Sequence, residues 1–187
     1  MRWRGISTPL RILTALLLFS CCTSIAGIVT ASKGLNNIYL IHIWVVGSYP
    51  FLAILFSFWH YDKSRQLIRI SVLAFLVFYL ISMGFKLERL SMPPAYSLSI
   101  MGLCVAMMSL YTLFTILRRD TSIPIYRDER LWISTGAFIY HSGNAFVFSS
   151  ILNGIAFDVW AIHNTLESVG NICYFGGLVW TLREISS

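Results

Sequence analysis

Seven side chains in this sequence pair a type able to bind or exchange something with a setting that makes them costly: His42, Tyr49, His141, Asn144, His163, Glu167 and Asn171. Each lies in a stretch otherwise apolar enough to cross a bilayer, where a charge at a helix centre costs roughly 3 kcal/mol to insert. Each therefore needs a partner or a purpose. Spacing sorts them into groups. His163, Glu167 and Asn171 recur every fourth residue and, extended by Tyr174, form one helical stripe. His141 and Asn144 share a face at i, i+3, and His42 and Tyr49 share one at i, i+7. Three polar stripes on apolar helices are satisfied most simply by facing a common interior.

The elements that must position these residues can be read from composition. With 57% hydrophobic and only 12% charged residues among 187, and a mean hydropathy of +0.71, the chain is too apolar for a soluble domain, which is about 45 to 50% apolar and about 25% charged. Six runs are long enough to span: Leu10 to Ala31, Ile38 to Trp59, Gln66 to Phe85, Ala95 to Leu117, Leu131 to Leu152, and Phe157 to Leu182. Short links rich in Gly, Asn, Ser and Pro separate most of them. The predicted fold is an all-α, polytopic six-transmembrane-helix bundle, a single transmembrane domain over residues 1–187, with consecutive helices antiparallel.

Charge orients it. With a cytoplasmic N-terminus, one side carries Arg2, Arg4, Arg11, Lys63, Arg65, Arg69, Arg118, Arg119, Arg127, Arg130 and Arg183, and the other only Lys33, Lys86 and Arg89. This distribution of the 14 basic residues predicts both termini in the cytoplasm. It also accounts for the net charge of +6 through topology and anionic-lipid contact, and no nucleic-acid partner is indicated. Arg2, Arg4 and Arg11 ahead of Ile12 to Phe19 resemble a signal peptide, and Cys21 a lipoprotein site, but the run continues through Val29 and predicts a retained helix. Cys21, Cys22, Cys104 and Cys173 have neither disulfide nor zinc spacing and read as packing residues. The cytoplasmic loop Arg118 to Arg130, with its mixed run Arg127, Asp128, Glu129 and Arg130, is a solvated connector or a docking surface for a cytoplasmic partner.

Helical rise converts position into depth. His42 and His163 come out level, about 4 and about 5 residues below the outer ends of their helices. His141, Glu167 and Tyr49 lie roughly 14 to 17 Å down, near the midplane. Glu167 is then expected to face the interior and to be hydrogen-bonded by His141 or Asn144, as an ion pair or with its carboxyl protonated. These groups could serve only as interhelical glue, worth under about 1 to 2 kcal/mol each. Pro50, after Gly47, Ser48 and Tyr49, is expected to kink the second helix beside them.

The run from Trp132 to Phe146, with Gly136, Tyr140, Ser142, Gly143 and Asn144, followed by Ile162, His163, Asn164, Glu167 and Asn171, resembles an uncharacterised multi-pass inner-membrane protein family common in Bacteroidota. In that family a WI-x-x-G-x-x-x-Y-x-SG-N-like helix precedes one with His and amides every four residues. The likeness extends to Asn37, Tyr39 and His42 and is carried mainly by the C-terminal third; Glu167 stands where an amide is usual. The resemblance implies a bacterial inner-membrane location and a sensor-like role, since some members resemble the sensory membrane parts of signalling proteins.

Together these features predict a non-enzymatic module that senses or binds a small or lipidic ligand in a cavity between the second, fifth and sixth helices. The alternatives are a b-type haem subunit with His42 and His163 as axial ligands, or an accessory or effector subunit that assembles through small residues such as Gly102 and Ala106. A hydrolase using Ser142 with His163 suffers a depth mismatch of about 7 Å. A transporter would favour repeats in matching halves, which the chain lacks.

Overall fold

The computed structural model describes residues 7–118, 124–153 and 158–186. It is all-α, with six helices: α1 Thr8–Ser32, α2 Ile38–Trp59, α3 Asp62–Gly84, α4 Ala95–Leu117, α5 Glu129–Leu152 and α6 Val159–Ser186. A 3-10 turn, Ile125–Arg127, precedes α5. The bounds of α2 and α4 coincide with the apolar runs. α3 starts earlier than its run because Arg65, though charged, is used by the helix: its Nε donates to the carbonyls of Ser57 and His60 at 3.1 and 3.0 Å, closing the exposed end of α2. α2 continues unbroken through Pro50.

The expected six spans are corrected to four. Among the described residues, only α1 to α4 are long and apolar enough to cross a membrane. In α5 and α6 the polar side chains Ser134, Thr135, His141, Ser142 and Asn144, then His163, Asn164, Thr165, Glu167, Ser168 and Asn171, recur within nearly every turn. Transfer free energy sums along a segment, so they dilute the apolar residues between them. Counting apolar runs without charging for these interruptions overstated the number of spans.

The described residues form two compact units, one within 7–101 and one from residue 102 onward. In the first, α2 packs between α1 and α3 and buries Val45, Tyr49, Leu52, Leu55 and Phe56 to 1% exposure or less. α1 buries only Leu10, Leu13 and Leu16, leaving Ile28 at 70% exposure. α3 buries Ile68, Phe75 and Ser82, a stripe at seven-residue spacing. Its opposite face exposes Leu67, Leu73 and Leu80, as an acyl-chain environment allows.

In the second unit α5 is the central element, packed closely against α6 and against the C-terminal part of α4. Gly102 makes the α4 contact: a Cβ there would lie 2.6 Å from the His141 carbonyl and 2.9 Å from the Ala145 Cβ. Gly136 does the same for α6, where a Cβ would come within 2.8 Å of the Gly170 carbonyl. Gly102 is thus used in a contact within the chain, and Ala106 is buried.

Candidate functional site

In the unit built from α1, α2 and α3, the two candidate residues of α2 are fully engaged. His42, 2% exposed, approaches the carbonyls of Arg89 and Met92 through Nε2 at 3.1 and 2.9 Å, and the Tyr79 hydroxyl through Nδ1 at 3.0 Å. Carbonyls only accept, so Nε2 carries the proton and, in the neutral ring, Tyr79 donates to Nδ1. An axial role toward haem iron would require one of these bonds to break. Tyr49 donates its hydroxyl to Ser71 Oγ at 2.8 Å and stacks at 4.4 Å on Phe75, joining α2 to α3.

The α5–α6 unit leaves more undone. His163 Nδ1 donates to Asn144 Oδ1 at 2.8 Å, pairing two of the candidate residues across the helices. Tyr140 lies beside both histidines, its ring 4.8 Å from that of His141 and 5.8 Å from that of His163, and Phe148 closes on His163 at 6.0 Å. Yet among the described residues His141 Nδ1 and Asn144 Nδ2, on residues 2% and 1% exposed, have no hydrogen-bond partner, and neither does Ser134 Oγ. Such a group costs about 1 to 3 kcal/mol when left unpaired in a protein interior.

Glu167 does not take up this unused capacity. It is half-buried and acts on Tyr140 and His163 through its charge, but the expected hydrogen bond from His141 or Asn144 is not formed, because Asn144 pairs with His163 and the remaining atoms stay open. Asn171 is exposed. Spacing by four advances a helical stripe by about 40° per step at about 100° per residue, so the row that begins at His163 leaves the interface two steps later. Tyr174, eleven residues on from His163, returns to the same face and is buried. Tyr140 belongs to the layer as well and was legible as the aromatic one residue before His141.

Burial controls the electrostatics. It pushes the His141 imidazole down to about 3, with the neighbouring His163 adding to the effect. It lowers His163 too, against the opposing pull of Glu167, and raises the phenols of Tyr140 and Tyr174. The Asn144 amide tempers the rise at Tyr140, from a position outside good hydrogen-bond geometry. The layer is therefore made of neutral donors and acceptors bordered by one carboxyl group. Among the described residues no group of three or more His, Cys, Asp or Glu side chains could hold a metal ion. Ser142 spends its hydroxyl on the Phe138 carbonyl at 2.5 Å.

In the connection before α5, residues 119–123 lie outside the described residues. In the segment from Tyr126 to Trp132, Asp128 accepts from the Arg130 backbone N–H at 3.0 Å as the helix cap and pairs with the Arg130 guanidinium, and Trp132 Nε1 donates to the Tyr126 carbonyl at 2.8 Å. Compared with family models, curated proteins and solved structures, the chain matches none of them.

Proposed function

We propose that this protein is a non-enzymatic, multi-pass module of the bacterial inner membrane, and that its α5–α6 unit binds a small or lipidic ligand at the polar layer of His141, Asn144 and His163, bordered by Tyr140 and Glu167. One observation carries the proposal. Among the described residues, His141 Nδ1 and Asn144 Nδ2, one helical turn apart on α5, are buried and unbonded beside a formed Asn144–His163 bond, whereas buried polar groups are ordinarily satisfied. The open amide N–H groups of Asn144 ask for an acceptor, and His141 Nδ1 can donate or accept according to tautomer. A neutral molecule bearing a carbonyl or hydroxyl meets both demands without carrying charge into a desolvated site. The four apolar helices supply the membrane location, and the resemblance of α5 and α6 to a Bacteroidota family supports the bacterial, sensor-like part.

The test is what the protein carries when it is extracted. Full-length protein purified in mild detergent is stripped with organic solvent, and the released molecules are compared by mass spectrometry with those from an Asn144→Leu/His141→Leu variant. A species present with the native chain and reduced at least about tenfold in the variant, the loss of about 1.4 kcal/mol of binding, is the expected result. Identical contents from the two folded proteins would reject the proposal.

A further inference from the structure

The connection between α3 and α4, residues 85–94, is built inside out. A surface loop normally turns polar groups outward; here Phe85, Leu87, Leu90 and Met92 are exposed at 77, 57, 55 and 61%. The polar groups that hold the loop are turned inward. His42 binds the carbonyls of Arg89 and Met92. Glu88, only 4% exposed, accepts from the Ser97 backbone N–H and from the Ser97 hydroxyl, both at 2.7 Å. Its carboxyl group thereby serves the first turn of α4, where the helix dipole favours negative charge.

This arrangement changes the charge that the loop presents. Read as sequence, Lys86, Glu88 and Arg89 nearly balance. In the folded chain Glu88 is withdrawn, while Lys86 and Arg89 are exposed and, among the described residues, neither pairs with a carboxylate. What remains outside is cationic and apolar.

We propose that the 85–94 loop is a docking surface for the membrane leaflet itself and that its specific partner is an anionic phospholipid. The four apolar side chains enter the acyl boundary while Lys86 and Arg89 pair with the lipid phosphate. Two observations select lipid as the occupant. α3 and α4 are both long and apolar enough to cross a membrane, so the segment joining them emerges at the bilayer surface. The exposed apolar face of α3, ending in Leu80 and Ile81, also runs directly into Phe85, making the loop continuous with the lipid-facing surface. A basic residue close to an anionic membrane favours binding by about fivefold, and two by about thirtyfold.

The experiment uses the full chain in neutral detergent. Its unfolding temperature is followed while dispersed phosphatidylglycerol, phosphatidylcholine or soluble glycerol phosphate is titrated in. Phosphatidylglycerol should stabilise at far lower concentration than phosphatidylcholine, and glycerol phosphate, lacking chains, should have no effect. Lys86→Gln and Arg89→Gln should each raise the phosphatidylglycerol requirement about fivefold and together about thirtyfold; both are exposed positions, and the single variants decide the matter if the double one fails to fold. Lys33→Gln, on a different connection, should change nothing. The proposal is overturned if the two lipids act equally on the native chain, if the Lys86 and Arg89 variants bind phosphatidylglycerol as the native chain does, or if glycerol phosphate replaces the lipid.

Discussion

His42 and His141 are equally buried, at 2% exposure each, yet differ in what their nitrogens meet. His42 has both nitrogens bonded and holds a loop in place. His141 leaves Nδ1 open, and an apolar side chain of similar volume there would remove an unpaired polar atom without removing any bond. His141→Phe is therefore expected to leave the protein as stable as before or more so, by up to about 1 to 3 kcal/mol, while reducing ligand retention. Gain of ligand binding with loss of stability would reverse the assignment. The same residue sets a pH dependence. Unfolded, the ring takes a proton near its ordinary 6.5, and folded not until about 3, so the unfolded state binds more protons between these values. Stability is full above about 6.5 and falls as pH drops toward about 3, at up to about 1.4 kcal/mol per pH unit. His163, lowered in the same direction, adds to this slope. Thermal unfolding across that range should be flatter in His141→Phe; an unchanged slope would mean that His141 is already charged in the folded protein.

At the scale of elements, the helices were legible because each is specified by a local pattern: a long, mostly apolar run in all six, which in α5 and α6 was counted as a span despite the polar residues interrupting it. Their partners were not. Equal depth points Glu167 to His141 or Asn144, but depth sets only height along a helix, and the rotation of α5 and α6 about their axes decides which groups meet. That rotation is governed by close approach at Gly136 and Gly170, a property of two surfaces at once. The α4–α5 contact depends likewise on Gly102. Gly102→Ala must separate the helices or distort them and is expected to cost about 1 to 3 kcal/mol, seen as a lower unfolding temperature. Gly84→Ala, where nothing lies within 4 Å of the added Cβ, should be neutral or stabilising by up to about 1 kcal/mol. Equal tolerance at both positions would contradict the packing described for Gly102.

For the whole molecule, crossings by α1 to α4, the helices long and apolar enough to make them, would fix the relation of the connections between them. Lys33 follows α1 and Ser91 follows α3, two crossings apart, whereas Ile125 lies beyond α4. With a membrane-impermeant thiol reagent on oriented vesicles, Lys33→Cys and Ser91→Cys should be labelled from one face and Ile125→Cys from the other. Labelling of Ser91→Cys and Ile125→Cys from the same face would remove α4 from the spans. The native cysteines lie within helices, and the unsubstituted chain provides the background.

Composition and periodicity alone determined that this is an all-α chain with several helices suited to a bilayer, because partition into hydrocarbon is a sum over consecutive residues and needs no knowledge of the fold. They also singled out His141, Asn144 and His163, since polar groups stand out against an apolar background. Tertiary structure alone decided how these groups are used. His42 and Tyr49 became fastenings of their own unit, Asn144 chose His163 over Glu167, and Glu88, masked in sequence by its basic neighbours, turned inward to Ser97. Each outcome depends on which donor reaches which acceptor across separate segments, and hydrogen bonds form only within about 3 Å and a narrow range of angles.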